Sequence, residues 1–142
     1  MKKLRDVMTT NLSVCSADDT MTEAAKIMTE HNVGAVPVCG ANKELLGMVT
    51  DRDLVVRGLA KEKSASSKIS ETMSGTLYSV EPEASVQEAS SLMAEKQIRR
   101  LPVVENGKLV GIVSLGDLAL EEKSNLAAGH ALEEISERPE IH

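Results

Sequence analysis

Residues 47–54 read GMVTDRDL, and residues 111–118 read GIVSLGDL. Glycine, two apolar residues, a hydroxyl residue, two variable positions and Asp-Leu occur twice, 64 residues apart. A repeat at that spacing in a chain of 142 residues decides the architecture, because one copy, at about 55 residues, would be marginal as a fold of its own.

Moving outward, the match extends over some fifty positions. LSVCSADDTMTEAAKIMTEHNVGAVPV (12–38) lies over LYSVEPEASVQEASSLMAEKQIRRLPV (77–103). Identities fall at Leu12/Leu77, Glu23/Glu88, Ala24/Ala89, Met28/Met93, Glu30/Glu95, Pro37/Pro102 and Val38/Val103, and upstream at Met8/Met73. One residue is lost in the turn that follows, after which Gly47, Asp53 and Leu54 lie over Gly111, Asp117 and Leu118.

The copies share their local physics. A short apolar run ends in a polar turn, and a hydroxyl-x-x-Glu box follows, Thr20/Glu23 and Ser85/Glu88, which starts a helix. Apolar residues then recur at helical spacing: Met21, Ala24, Ala25 and Met28 in one copy, Val86, Ala89, Leu92 and Met93 in the other. A strand-like run (GAVPVC, RRLPVV), a turn (GANKE, ENGK), a second strand (LLGMV, LVGIV) and a helix from Thr50 or Ser114 complete the unit. The expected fold is mixed α/β, with two pseudosymmetric strand–helix–strand–strand–helix repeats packed on each other. Boundaries are expected at 1–62 and 63–122, with KEKSASSK (61–68) as the linker and 123–142 as an acidic, polar, partly helical tail.

Composition excludes several functions. The formal charge is −6, and residues 121–142, with six glutamates against Lys123 and Arg138, carry −4 of it. An acidic tail on a near-neutral body argues against binding nucleic acid through its phosphates. Tyr78 is the only aromatic residue, which removes a base-stacking platform. No apolar run reaches the ~18 residues of a membrane span, and MKKLRDVMTT has no apolar stretch behind it, so a cytoplasmic protein is expected. Cys15 and Cys39 lack the spacing of a disulfide framework and are read as reduced. His31, His130 and His142 have no metal-ligand spacing, and no nucleophile–base pair is recognisable, so no enzyme and no metal are expected.

Thr50-x-x-Asp53 and Ser114-x-x-Asp117 admit two readings. A hydroxyl at the N-cap with an acidic residue three positions on is a capping arrangement, worth about 1 kcal/mol. The same groups also suit a ligand: a helix start presents free N–H groups, and a carboxylate one turn in can accept both hydroxyls of a ribose. Gly47 and Gly111 would let such a ligand approach the strand closely.

NVGAVPV with LLGMVTDRDL, and QIRRLPVV with KLVGIVSLGDL, resemble a tandem pair of cystathionine-β-synthase (CBS) domains, a Bateman module, over roughly residues 4–122. The resemblance implies a regulatory module whose clefts, between the two repeats, bind AMP, ADP, ATP or S-adenosylmethionine. Carried over by position, it assigns ribose to Asp53 and Asp117 with Thr50 and Ser114 beside them. It assigns adenine to Met8, Ser13, Val14, Ala35 and Val36, and to Leu77, Tyr78, Leu101 and Pro102. Phosphate falls to Arg99 and Arg100, with Arg52 a further candidate. It groups Asp53 with Leu77, Tyr78 and Arg99, and Asp117 with Ser13 and Ala35. SLGDL puts Leu115 and Gly116 where the first copy has Asp51 and Arg52, so the clefts are expected to be unequal.

A homodimer is expected from apolar helix faces around 20–32 and 85–97, or 51–60 and 115–122. A regulated protein, reached as a separate partner or within the module's own dimer, is a further expected partner. The competing reading is a structural dimerisation module with degenerate, non-binding clefts.

Overall fold

Each hydroxyl-x-x-Glu box opens a helix at the residue the spacing predicts. In the computed structural model, which describes residues 2–73 and 78–123, helix α1 spans Met21–His31. The Thr20 hydroxyl accepts the Glu23 N–H at 3.1 Å, and the Glu23 carboxylate takes the Thr20 N–H in return. Helix α3 spans Val86–Lys96 behind Ser85, whose hydroxyl accepts the Glu88 N–H at 3.0 Å. Both helices stop on a residue in the left-handed region, Asn32 (φ 52°) and Gln97 (φ 57°), which stand at equivalent places in the two copies. That conformation turns the chain out of the helix and costs a residue other than Gly, so its recurrence at a glutamine reflects the repeat rather than local preference.

The chain divides into two compact units. One comprises Leu12–Tyr78 with Asn106–Leu109. In it β1 (Cys15–Ser16) runs parallel to β2 (Ala35–Cys39), which pairs antiparallel with β3 (Leu45–Thr50). Val36 faces Val49 and Val38 faces Gly47; the register then steps so that Cys39 meets Leu45 and Leu46 bulges outward. Val36 to Cys39 are all buried, the pattern of a strand covered on both faces. Met21, Ala24 and Met28 of α1 line one helical stripe and join Cys15, Val36, Val38, Val49 and Ile69 in the core. The apolar run that opens the first copy yields only a short strand, with Leu12, Ser13 and Val14 preceding β1. The linker is stitched down: Ser67 and Ala65 carbonyls accept the Met21 and Thr22 N–H groups at the free start of α1.

The other unit contains residues 2–11, 79–105 and 110–123. Strands β4 (Arg100–Glu105) and β5 (Lys108–Ser114) are joined by Asn106-Gly107, both at positive φ (54° and 79°), the two-residue turn that suits the twist of a hairpin. Val80 bridges Val103 in parallel, which repeats the Cys15–Val38 pairing of the first copy. Helix α4 spans Leu115–Lys123.

The short segments that open the repeats are exchanged. Leu4–Asp6 forms a 3₁₀ turn in the unit of the second copy, where Leu4 and Arg5 donate to the Ala84 and Pro82 carbonyls, both at 2.9 Å. Its counterpart Ile69–Glu71 sits in the unit of the first copy, with Ile69 and Ser70 donating to Asp19 and Ala17. Leu4 and Ile69 are fully buried. Packing therefore groups the chain into units built from segments that are not contiguous in sequence.

Among the described residues the exposed large apolar side chains are Val14, Leu46, Val55, Val56, Leu59 and Leu120. Of the apolar faces expected from sequence, those near 51–60 and 115–122 carry such residues. The outer side of α1 is instead formed by Thr22, Glu23, Lys26, Thr29 and Glu30. Leu77 and residues 124–142, including most of the expected tail, lie outside the described residues.

Candidate functional site

Strand β3 ends at Thr50, and a helical segment starts at once. Its first turn, α2 (Asp51–Asp53), passes into a π-turn over Leu54–Gly58 and a 3₁₀ turn over Leu59–Lys61. The helix expected here thus exists but becomes irregular after its first turn. A π-turn inserts a residue into the helical ladder and is often found at functional positions.

Thr50 and Asp53 cap each other. The Asp53 N–H donates to the Thr50 hydroxyl at 3.0 Å, and the Thr50 N–H donates to Asp53 Oδ2 at 2.9 Å. The capping reading is realised in full. It does not saturate the carboxylate, which has about four acceptor positions. Asp53 Oδ1 faces the Arg57 guanidinium, with Nε at 3.9 Å, and the Asp53 side chain is 13% exposed. Arg57 Nη1 in turn donates to the Met73 carbonyl at 3.3 Å. Beside this start, the Asp51 N–H donates to the Gly34 carbonyl at 2.9 Å. The Asp51 carboxylate fills the space a Gly34 side chain would need, with Oδ2 3.0 Å from the position of a Cβ.

The second copy repeats the frame with other side chains. The Asp117 N–H donates to the Ser114 hydroxyl at 3.0 Å, and the Leu115 N–H donates to the Arg99 carbonyl at 2.8 Å. Arg99 thus stands where the first copy has Gly34, and Leu115 where it has Asp51. The counterpart of Arg57 is Glu121, which pairs with Lys2 Nζ at 3.0 Å.

The sequence-derived residues fall into both units. Ser13, Val14, Ala35, Val36, Thr50, Arg52, Asp53 and Tyr78 lie in one; Met8, Arg99, Arg100, Leu101, Pro102, Ser114 and Asp117 lie in the other. Val36 is a core residue, Leu101 is fully buried, and Arg52 and Arg100 are exposed. The expectation that Gly111 leaves room for a ligand is corrected. Thr9 and Ile112 exchange backbone hydrogen bonds, which lays Met8 on Gly111, with its Sδ 2.5 Å from where a Cβ would stand. That glycine makes room for a methionine of its own chain.

Arg57 and Glu121 were not singled out from the sequence. The signal was there: Asp53 and Arg57 are four apart on an expected helix, the spacing of an ion pair, and the repeat aligns Arg57 with a residue of opposite charge.

No group of three or more His, Cys, Asp or Glu side chains that could hold a metal occurs among the described residues. The two cysteines are free and buried. Burial, with the Asp19 and Glu23 carboxylates nearby, pushes the Cys15 thiol up to about 11, and burial raises Cys39 as well. Neither has the electropositive setting that makes a reactive thiolate. No described helix is long and apolar enough to cross a membrane.

The family model for the CBS domain matches the chain twice, at residues 4–58 and 69–123. An uncharacterised protein of Bacillus subtilis, YlbB, is 51% identical over 138 residues, which is 96% of this chain and 93% of that protein. Hypoxic response protein 1 of Mycobacterium tuberculosis is 40% identical over 120 residues, 84% of each chain. Among solved structures, CBSX2 in complex with AMP has a TM-score of 0.79 at 27% identity, covering 87% of this chain and 98% of that one.

Proposed function

Since the chain belongs to the CBS-domain family and carries the domain twice in tandem, we propose that it is a regulatory module that binds an adenosine-containing ligand: AMP, ADP, ATP or S-adenosylmethionine. The observation that carries this reading is the doubled helix start, hydroxyl and carboxylate together, in a chain whose structural relative CBSX2 was solved with AMP. Asp53 and Asp117 accept the ribose hydroxyls, next to Thr50 and Ser114. Arg99, Arg100 and Arg52 meet phosphate, and Met8, Ser13, Val14, Ala35, Val36, Leu77, Tyr78, Leu101 and Pro102 form the surroundings of adenine. The module performs no chemistry of its own and acts as a homodimer in a reducing, cytoplasmic compartment, on a partner or within its own dimer.

The reciprocal cap at Thr50 and Asp53 favours a second reading, in which these residues only start a helix and the module is structural. Thermal unfolding with AMP, ADP, ATP, S-adenosylmethionine and GMP separates the two. A ligand at about 100 times its Kd adds about 2.7 kcal/mol of stability. A rise with an adenosine ligand, absent with its 2′-deoxy form and in Asp53→Asn, supports binding through ribose. No rise with any of the five leaves the structural reading.

A further inference from the structure

We propose that Arg57 is the positioning residue for the ribose-accepting carboxylate of the first repeat, and that it makes the helix start at Asp53 the stronger of the two. The inference rests on the adenosine-binding reading and goes beyond it, because it assigns a role to a residue that touches no ligand in that reading.

The argument begins with the geometry of Asp53. Its Oδ2 accepts from the Thr50 N–H at 2.9 Å, and because the carboxylate is planar, rotation about the Cβ–Cγ bond carries Oδ1 and Oδ2 together, so a group across from Oδ1 is a second restraint on that one rotation. The group across from Oδ1 is Arg57 Nε, at 3.9 Å. That is an ion pair without a direct hydrogen bond, so the guanidinium attracts and orients Oδ1 while its acceptor positions stay available to a diol. Arg57 is itself held, because Nη1 donates to the Met73 carbonyl at 3.3 Å. An exposed arginine with one end on a carbonyl loses less entropy in holding a carboxylate than a free one does. Met73 closes the exchanged segment that begins at Ile69, and the Ile69 carbonyl accepts its N–H at 2.8 Å. The orientation of Asp53 is thereby tied to the packing of that segment.

The second repeat supplies the contrast. It repeats the bond from the aspartate N–H to the hydroxyl, Asp117 on Ser114, yet the residue equivalent to Arg57 is Glu121. Glu121 pairs with Lys2 and places a like charge one turn after Asp117. Two carboxylates at that spacing repel, where Asp53 and Arg57 attract. The two helix starts therefore share the bond from the aspartate N–H to the hydroxyl, while the return bond to the carboxylate is made at Asp53, and the residue one turn on is Arg57 in one and Glu121 in the other.

The test is calorimetric titration of the full chain with adenosine, 2′-deoxyadenosine and AMP. The proteins are wild type, Arg57→Met, Arg57→Lys, Asp53→Asn and the Arg57→Met/Asp53→Asn double variant. Wild type is expected to prefer adenosine to its 2′-deoxy form by roughly 5- to 100-fold. Arg57→Met should reduce that preference to about twofold or less while leaving 2′-deoxyadenosine almost unchanged, and Arg57→Lys should recover part of it. In the Asp53→Asn background Arg57→Met should do nothing further, since the arginine acts through the carboxylate. An undiminished ribose preference in Arg57→Met overturns the inference alone, as does an equal loss for both nucleosides, the mark of a structural role. A loss confined to AMP also overturns it and makes Arg57 a phosphate contact. Failure of wild type to bind adenosine at all removes the underlying reading and the inference with it.

Discussion

At the scale of single residues, the second-copy glycine of the repeated skeleton has a structural task. A Cβ on Gly111 would stand 2.5 Å from Met8 Sδ, 2.8 Å from its Cγ and 3.1 Å from its Cβ, so the whole side chain has to retreat and not only its flexible end. Gly111→Ala should lower stability by about 1–3 kcal/mol, the usual effect of overpacking. Met8→Ala should relieve part of this, which a double-mutant cycle in urea reads as a coupling. Equal costs of Gly111→Ala in both backgrounds would disprove the contact. Cys15 makes a different prediction. Its thiol titrates near 11 in the folded chain against an ordinary value of 9.0, so the folded state holds the proton more tightly. This contribution to stability is fully present below pH 9 and is lost as the pH rises from about 9 to about 11. Urea unfolding across that range should show the fall in the wild type and a shallower one in Cys15→Ala. A thiol reagent at pH 8 should label Cys15 only after unfolding.

At the scale of elements, the exchanged opening segments are held by two kinds of contact of unequal weight. Lys3 and Arg5 both pair with Glu83, and Arg5 also reaches Glu105. All these side chains are well exposed, and such pairs contribute little in water. Leu4 is fully buried, and the backbone around it donates to Ala84 and Pro82. Leu4→Ala should therefore cost about 2–5 kcal/mol in urea unfolding, the range for emptying a buried leucine site. Glu83→Gln should move the midpoint far less. The reverse order would mean that charge, not burial, seats the segment. Ile69 has the equivalent place in the other copy and is as deeply buried, so Ile69→Ala should match Leu4→Ala.

At the scale of the whole molecule, the proposed homodimer has a candidate surface. Val55, Val56 and Leu59 are 55%, 42% and 69% exposed on one short irregular helical stretch. Apolar side chains grouped in this way mark an interaction surface more often than chance exposure does. Sedimentation at micromolar concentration should give a dimer for the wild type and a monomer for Leu59→Glu, with unchanged far-ultraviolet circular dichroism. A wild-type monomer, or a Leu59→Glu dimer of undiminished affinity, would exclude this surface.

What could be read from the sequence was whatever depends on neighbours a few residues apart. Thr20 and Ser85 start helices, Asn106-Gly107 turns a hairpin, and Thr50 and Ser114 cap, because hydroxyls, carboxylates and backbone N–H groups three positions apart meet whatever surrounds them. The repeat itself needs only comparison of the chain with itself. The tertiary structure decided what depends on distant partners. Leu4 and Ile69 open equivalent segments with nearly the same local options, and nothing local tells them to pack in the unit of the other copy. Gly111 reads as an open approach until Thr9 pairs with Ile112 and brings Met8 onto it. Arg57 stands at ion-pair spacing from Asp53 in the sequence, but its anchor, the Met73 carbonyl, lies 16 residues along the chain and is brought to it only by the fold.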